Sequence, residues 1–513
     1  MYRPLVGLMS VLTVLCTVVV GFAPAAAAQD YVPISGSGST WSFNAIDQWR
    51  KNVQQFGIKV NFSGTGSTDG RNQFYYGQVD FAVSEIPYGE KDRNTIEKSP
   101  PEGSFAYMPI VAGGTSLMYN LNIGGKRITN LRLSGEVVTK IFTGGITNWS
   151  DPAIKADNPN LALPARKIVP VVRSDGSGST AQFTAWMAAQ HAPIWDAYCA
   201  RAGRSTPCGL TSSYPVLEPL VAQDKSIGVA NYVRQAQSEG AITYVEYSYA
   251  KNAGFPVAKL LNAKGYYVAP TASAVAVALL RAKVRPNLTQ DLSQVYADPD
   301  PRTYPLSSYS YMIIPTVPSA KFSSAKGRTL ADFGYYFLCE GQQQAERLGF
   351  SPLPINLVRA GLDQVARIPG SVKKATDISK CNNPTFSADG TNTLAVTAKQ
   401  PPECDRRGGP AQCTEAGVPV KAPTKAGGPA AGGPAVPGEA VPGEAAGPAA
   451  EVADEATGGD RAAAASASAV PVSVDLPQDD GTLLVVVAVV LLVALVVGPP
   501  MVARLLRKSG AQR

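Results

Sequence analysis

Three short loops rich in Gly, Ser and Thr have the composition of an anion-binding site. The loops are Ser35–Trp41, Ser63–Gly70 and Arg173–Thr180, and each stands directly before a predicted helical run. The N-terminus of a helix presents unpaired backbone N–H groups and the positive end of the helix dipole. Glycine allows an anion to approach the backbone closely, and Ser and Thr hydroxyls add hydrogen-bond donors. The pattern therefore indicates loops that hold a phosphate or a similar oxyanion.

Each loop also has a plainer interpretation, since Ser and Thr often cap helices without binding a ligand. Three such loops, one of them starting with the charged Arg173, favour anion binding. None of them continues into the Gly-Lys-Ser/Thr of a P-loop, and none has the spaced glycines of a dinucleotide fold in a convincing βαβ unit. The chain has one histidine, His191, which excludes a multi-histidine metal site.

The chain around these loops alternates between short apolar runs and longer helical stretches. The predicted strands are Ile58–Phe62, Val79–Val83, Ile168–Val172 and Ala241–Val245. Four stretches are predicted to be at least partly helical: Trp41–Phe56, Thr180–Gln190, Val216–Gln237 and Ala331–Leu348. Such alternation predicts an α/β fold with a mainly parallel or mixed sheet.

The N-terminal residues 1–28 have the features of a secretory signal peptide. Arg3 precedes an apolar run from Leu5 to Phe22, and small residues follow at Ala25–Ala28. A short basic start, an apolar centre and small residues at the cleavage site are typical of such signals. An uncleaved N-terminal anchor is the alternative.

The C-terminal part predicts a long linker followed by a membrane anchor. Residues 386–480 are rich in Pro, Gly and Ala, and we expect a disordered extracellular linker because this composition buries too little apolar surface to fold. The apolar residues 481–503 have about the length of a bilayer crossing and predict a transmembrane helix. The positive-inside rule places the basic tail 504–513 in the cytoplasm. We therefore expect an exported protein anchored at the cell surface in the plasma membrane.

Export changes the interpretation of the cysteines. Removal of Cys16 with the signal leaves six: Cys199, Cys208, Cys339, Cys381, Cys404 and Cys413. An even number in an oxidising compartment favours disulfides. Closeness in sequence favours Cys199 with Cys208 and Cys404 with Cys413, which leaves Cys339 with Cys381, but the sequence does not choose among the 15 possible pairings.

Several segments together resemble a known family. Gly36–Trp41, Val79–Glu85 and Arg173–Ser179 look like signature segments of the phosphate-binding protein of the bacterial ABC-type phosphate importer, and Ile146–Trp149, Asn158–Pro164 and Tyr244–Tyr249 resemble its connecting segments. The resemblance runs from about Ile34 to Pro354. It implies a two-lobed, periplasmic-binding-protein-like α/β fold (type II) within residues 29–385 that closes on inorganic phosphate and delivers it to the permease subunits of a transporter.

The same resemblance implies a lobe division and a hinge. Lobe one would comprise residues 29–111 and 312–385, and lobe two residues 112–311. Two crossing strands near Pro109–Ser116 and Ser307–Pro315 would join the lobes.

The resemblance also implies a set of phosphate-binding residues. By position they are Thr40, Trp41, Ser67, Glu85, Arg173, Asp175, Ser177, Gly178 and Ser179. Two of them depart from the family pattern: Ser179 replaces the usual Thr, and Glu85 replaces the usual Asp that accepts a hydrogen bond from the proton on phosphate. The extra methylene of Glu85 moves the carboxylate, so Asp69 is a second candidate for this acceptor.

Other functions remain open at this point. A surface sensor or adhesin without a transport role would keep the same fold, and sulfate, molybdate or arsenate would suit similar loops. A secreted phosphatase would need a nucleophile with a base, or two metals, and the sequence offers neither clearly. The chain has 46 Lys and Arg against 39 Asp and Glu, an excess too small and too dispersed to predict nucleic-acid binding. We thus expect a non-enzymatic binding protein without cofactor or metal.

Overall fold

The computed structural model of the 513-residue chain describes residues 31–420, apart from 93–94, 373–377, 379–380, 386, 388–389, 410 and 415–416. The predicted signal peptide 1–28, most of the predicted linker, the predicted membrane helix 481–503 and the tail 504–513 lie outside the described residues. Within the described part, no helix is long and apolar enough to cross a membrane.

The strands are mostly short, with two long exceptions that run through the middle of the molecule. In chain order the described strands are β1 (Ile34–Gly38), β2 (Val60–Gly64), β3 (Phe81–Ser84), β4 (Lys91–Asp92), β5 (Thr95–Ile96), β6 (Phe105–Tyr119), β7 (Asn122–Ile123), β8 (Lys126–Arg127), β9 (Arg132–Leu133), β10 (Val169–Arg173), β11 (Val221–Gln223), β12 (Ala241–Glu246), β13 (Val257–Leu261), β14 (Tyr267–Val268), β15 (Lys283–Val284), β16 (Gln290–Asp291), β17 (Ser307–Pro315), β18 (Gln412–Cys413) and β19 (Pro419–Val420).

The helices alternate with the strands over most of the described chain, as the sequence predicts. They are α1 (Phe43–Val53), α2 (Ser67–Tyr75), α3 (Gly135–Phe142), α4 (Pro152–Asp157), α5 (Gly178–Gln190), α6 (Ala192–Arg201), α7 (Lys225–Arg234), α8 (Tyr247–Ala253), α9 (Ala272–Leu279), α10 (Ser293–Tyr296), α11 (Ser324–Leu338), α12 (Ala345–Leu348), α13 (Ile355–Val365) and α14 (Thr393–Val396).

The two long strands β6 and β17 occupy the centre of one continuous sheet with the order β11-β10-β12-β6-β17-β3-β1-β2. They pair antiparallel from Ser307 beside Gly114 to Pro315 beside Phe105. β6 also pairs with β12, and β17 also pairs with β3. The segments Pro109–Ser116 and Ser307–Pro315 thus lie in β6 and β17, which pair over Phe105–Gly114 with a register shift between Ser310 and Tyr311. Their role as a hinge stays a prediction.

The two largest hydrophobic cores among the described residues share no buried residue. One contains buried residues from the ranges 34–112 and 309–381, together with Val275. The other draws its buried residues from the range 117–306. We call the part of the chain around the first core lobe one and the part around the second lobe two; the exact lobe bounds stay a prediction.

The parallel strands explain why the three Gly/Ser/Thr loops come together. β1 pairs parallel with β2 and with β3, so the carboxyl ends of these three strands lie at one edge of lobe one. In lobe two, β10 is parallel to β11 and β12. Ligands of open α/β sheets bind beyond the carboxyl ends of the strands. The predicted loops Ser35–Trp41 and Ser63–Gly70 begin inside β1 and β2, so only their later residues lie beyond these ends, and Arg173–Thr180 begins at the last residue of β10.

The stretch Val216–Gln237, which the sequence predicts to be at least partly helical, contains its α-helix only in its later part. Pro219 has no backbone N–H to donate within a helix. The residues Val221–Gln223 instead form β11 and pair with β10. The helix α7 begins only at Lys225.

The chain after residue 385 is folded further than its composition predicts. Helix α14 packs its Ala395 against the buried Ala276 and Val277 of α9. Farther on, Lys259 donates from lobe two to the buried carboxylate of Asp405 at 2.5 Å. The folded part therefore extends at least to residue 420, because specific polar contacts and a disulfide compensate for the low apolar content.

The six cysteines of the described residues form three disulfides, Cys199–Cys208, Cys339–Cys381 and Cys404–Cys413. The first and the last join cysteines that are close in sequence, as expected, and the other is the pair that then remained. The third pair lies inside the stretch that we predicted to be linker, where it closes a short loop next to Asp405.

Candidate functional site

The first loop follows β1 and brings three consecutive side chains to the cleft. Ser39 Oγ accepts a hydrogen bond from the backbone N–H of Trp41 at 3.0 Å and so fixes the turn before α1. The indole of Trp41 donates to Thr115 Oγ1 at 3.1 Å, which anchors the loop to β6. The loop is held from lobe two as well, because Tyr249 Oη donates to the carbonyl of Thr40 at 2.6 Å.

The second loop places Ser67 at the first position of α2. Its hydroxyl donates to Glu85 Oε2 at 2.8 Å and accepts from the backbone N–H of Gly178, across the cleft, at 3.1 Å. The neighbouring Thr68 donates its N–H to the carbonyl of Gly176 at 3.1 Å. The lobes are thus in direct contact at this point.

Glu85 directly follows β3 and is fully buried, with 0% of its surface exposed. Its Oε1 accepts from Ser39 Oγ at 2.5 Å and from Ser310 Oγ at 2.7 Å. Burial raises the pKa of Glu85, while the three serine hydroxyls and the charge of Arg173 oppose that rise. The carboxylate is therefore a buried acceptor that draws its partners from β17 and from both lobe-one loops.

The third loop leads from β10 into α5. Ser177 caps the helix, because its hydroxyl accepts from the N–H of Thr180 at 3.2 Å. Gly178 follows, and its backbone N–H donates to Ser67 Oγ of lobe one. A Cβ at this position would lie 2.0 Å from Glu85 Oε2, so only glycine fits against the longer carboxylate.

Arg173 is buried at the end of β10, with 2% of its surface exposed. Its guanidinium donates from Nε to Asp175 Oδ1 at 2.6 Å and from Nη2 to Asp175 Oδ2. Burial by itself would raise the pKa of Asp175, but the hydrogen bonds and charge of Arg173 outweigh it, and the pKa lies below its ordinary value. The pair therefore stays ionised and fixes the plane of the guanidinium.

The remaining guanidinium nitrogen of Arg173 points to two hydroxyls. Nη1 donates to Ser226 Oγ at 3.1 Å and makes a long contact of 3.5 Å with Ser179 Oγ. Ser226 belongs to α7, a helix for which the sequence predicted no role in the site.

Hydrogen bonds connect several of the nine residues that the resemblance implied: Ser67 joins Glu85 to Gly178, and Arg173 contacts Asp175 and Ser179. The binding role of the nine stays a prediction. Asp69 is not among them: it is exposed and accepts from Gln73 Nε2 at 2.6 Å on its own helix. His191 lies between α5 and α6, with its ring 5.2 Å from that of Trp186. No group of three or more His, Cys, Asp or Glu able to hold a metal occurs among the described residues.

Three site residues were missed from the sequence. Ser39 lies in the first predicted loop, but the resemblance implied its neighbours Thr40 and Trp41 as the phosphate-binding residues. Ser310 lies in a strand with two other serines, Ser307 and Ser308, and Ser226 lies at a helix start; nothing in the sequence around either residue marks it as part of the site.

Comparison with known proteins identifies the family. Residues 23–340 match the PBP superfamily domain. The chain is 31% identical over 339 residues to the phosphate-binding protein PstS of Xylella fastidiosa (strain Temecula1), which covers 66% of this chain and 85% of the relative. The chain belongs to the PstS family of phosphate-binding proteins.

A PstS protein of Methanocaldococcus jannaschii is similar to the same degree. It is 30% identical over 350 residues, which covers 65% of this chain and 86% of the relative. A solved periplasmic phosphate-binding protein with bound phosphate is also similar, with a TM-score of 0.49, 18% identity, and coverage of 67% of this chain and 100% of that chain.

Proposed function

We propose that this PstS-family chain captures monohydrogen phosphate between its lobes and delivers it to the permease of an ABC importer. The observation that carries the proposal is the hydrogen bonding of Glu85. An ionised carboxylate offers about four acceptor positions. Ser39 and Ser310 use two of them on Oε1, and Ser67 uses one on Oε2. One acceptor position therefore remains on Oε2.

Several hydrogen-bond donors of the predicted site residues have no partner among the described residues. A guanidinium has five N–H donors. In Arg173 two of them bond Asp175 and the Nη1 pair faces Ser226 and Ser179, so one N–H on Nη2 remains. The backbone N–H groups of Thr40 and Ser179 make no hydrogen bond to any described residue. Because buried N–H groups are nearly always paired, these donors suit the oxygens of a ligand.

Several donors with a single acceptor match a tetrahedral anion that keeps one proton. Monohydrogen phosphate has that proton near neutral pH, whereas sulfate presents only lone pairs to Glu85. Sulfate would then meet like-charge repulsion and leave a buried acceptor unpaired. Sites built around one such hydrogen bond reject the wrong partner by about 10⁴-fold or more.

Calorimetric titration of the purified full-length protein with phosphate and with sulfate tests the proposal. We expect tight phosphate binding and no measurable heat with sulfate at the same concentration. Equal affinity for both anions would refute the role of Glu85, and the absence of phosphate binding would refute the proposed function. Lack of phosphate release from a phosphate ester would support a binding role without catalysis.

We further propose that the chain is exported through residues 1–28 and retained at the membrane by residues 481–503, with the tail 504–513 in the cytoplasm. The support is the apolar composition and the length of the C-terminal stretch. The full chain should sediment with membranes, whereas a chain ending at Asp480 should be released. Recovery of the full chain in the soluble fraction, or bound covalently to the cell wall, would contradict the anchor.

A further inference from the structure

Ser226 lies at the second position of α7 and is fully buried, with 0% of its surface exposed. The turn before it is held by the site itself, because the backbone N–H of Lys225 donates to Asp175 Oδ1 at 3.0 Å. Lys225 takes a left-handed conformation with φ of 63°, which turns the chain into the helix. Asp175 thus holds both Arg173 and the start of α7.

The Ser226 hydroxyl joins the two lobes within the cleft. It lies 3.1 Å from Arg173 Nη1 in its own lobe and 2.8 Å from Thr40 Oγ1 in lobe one. The backbone N–H of Ser226 also donates to Thr40 Oγ1, at 3.3 Å. Both groups of Ser226 therefore meet the same hydroxyl of the opposite lobe.

The chemistry of these groups sets the direction of two of the three hydrogen bonds. A guanidinium has donors and no acceptor, so Arg173 donates to Ser226 Oγ, and the backbone N–H of Ser226 donates to Thr40 Oγ1. In the contact between the two hydroxyls either oxygen can carry the shared hydrogen. When Ser226 is the donor, Thr40 Oγ1 accepts twice and its own hydroxyl hydrogen is available to a ligand.

We propose that Ser226 is a positioning residue for anion binding: it orients the Thr40 hydroxyl as a donor to the ligand and connects Arg173 to lobe one when the cleft is closed. The inference rests on the proposed function and concerns a residue that does not itself touch the anion. Ser226 transmits the orientation of the Arg173–Asp175 pair to a ligand contact in the other lobe.

The test is a double-mutant cycle of Ser226 and Thr40, measured by phosphate titration of the full-length protein. Ser226→Ala should weaken phosphate binding about tenfold, which corresponds to about 1.4 kcal/mol. In a Thr40→Val background, which has no hydroxyl to orient, the same change should cost less than about twofold. In a Thr40→Ser background, which keeps the hydroxyl, it should again cost about tenfold.

Ser351→Ala is the matched control, because Ser351 is also buried and donates one hydrogen bond, to the carbonyl of Ala272 at 2.9 Å. It should leave phosphate affinity unchanged. Equal losses for Ser226→Ala in all Thr40 backgrounds would overturn the positioning role, as would a Ser226→Ala protein that fails to fold. If the wild type and Ser226→Ala bind phosphate equally well, this inference is refuted and the proposed function stands. If the wild type binds no phosphate, the proposed function is refuted.

Discussion

Arg173→Ala should remove most of the phosphate affinity of this protein. Arg173 is almost completely buried, and two of its donors are held by Asp175 at the entrance of α5. Truncation to Ala removes the charged donor that remains for the ligand. It also leaves the Asp175 carboxylate without its partner, at a point where a second negative charge would meet an incoming anion.

The two losses have different magnitudes. A hydrogen bond to a charged group contributes about 1.5–3 kcal/mol, or about 10- to 150-fold in affinity. Removing one partner of a buried ion pair costs about 3–5 kcal/mol, most of it from the charge left behind. We therefore expect Arg173→Ala to weaken phosphate binding by at least about a hundredfold. The pKa of Asp175 lies below its ordinary value, so the stabilisation by the pair persists at neutral pH and is lost only as the pH falls through that lowered pKa.

Titration calorimetry near neutral pH measures the loss, and a second substitution separates its two parts. Arg173→Ala with Asp175→Asn should recover part of the affinity, because the unpaired charge is gone while the ligand contact is still missing. Arg166→Ala is the control, since Arg166 pairs with Glu239 in lobe two and is 45% exposed. An Arg173→Ala affinity within threefold of the wild type would refute the role of Arg173 in the site.

Three further substitutions test other parts of the structure. Glu85→Gln should weaken phosphate binding and reduce the preference for phosphate over sulfate in competition titrations. An unchanged preference would show that Glu85 does not accept a hydrogen bond from the proton on phosphate. Burial raises the pKa of Glu85 above 4.5, so the folded state holds this proton more tightly than the unfolded state. The folded state should therefore lose stability as the pH rises from 4.5 through the raised pKa. Glu85→Gln should flatten this part of the dependence of Tm on pH. Gly178→Ala should abolish phosphate binding, because its Cβ would lie 2.0 Å from Glu85 Oε2. Adding Glu85→Asp, which shortens the carboxylate side chain, should restore part of the phosphate affinity. Phosphate binding by Gly178→Ala alone would contradict the close approach of Gly178 to Glu85. Asp405→Ala should lower the free energy of unfolding by about 3 kcal/mol in denaturant titrations, because Lys259 would stay buried without its partner, and should leave phosphate affinity unchanged. A loss below about 0.5 kcal/mol would show that the segment around Asp405 is not part of the folded domain.

The positions of the strands and of the anion-binding loops could be predicted because the signals are local. The predicted strands Ile58–Phe62 and Val79–Val83 correspond to β2 and β3 with shifts of two residues or fewer at each end. Short apolar runs bounded by Gly, Ser and Asn mark strands, and Gly/Ser/Thr loops before helices mark helix starts. The end of the folded domain was predicted less well, because the contact of Asp405 with Lys259 spans 146 residues.

The sequence by itself determined that this chain has an α/β fold with anion-binding loops, and the likeness of its motifs assigned nine residues to the cleft. Only the tertiary structure decided how these residues share their hydrogen bonds. Ser310 reaches Glu85 from 225 residues away, and Ser226 reaches Thr40 from 186 residues away. A single serine has no distinctive local pattern, and its role depends on which hydroxyls and carboxylates the closed lobes bring within about 3 Å of it.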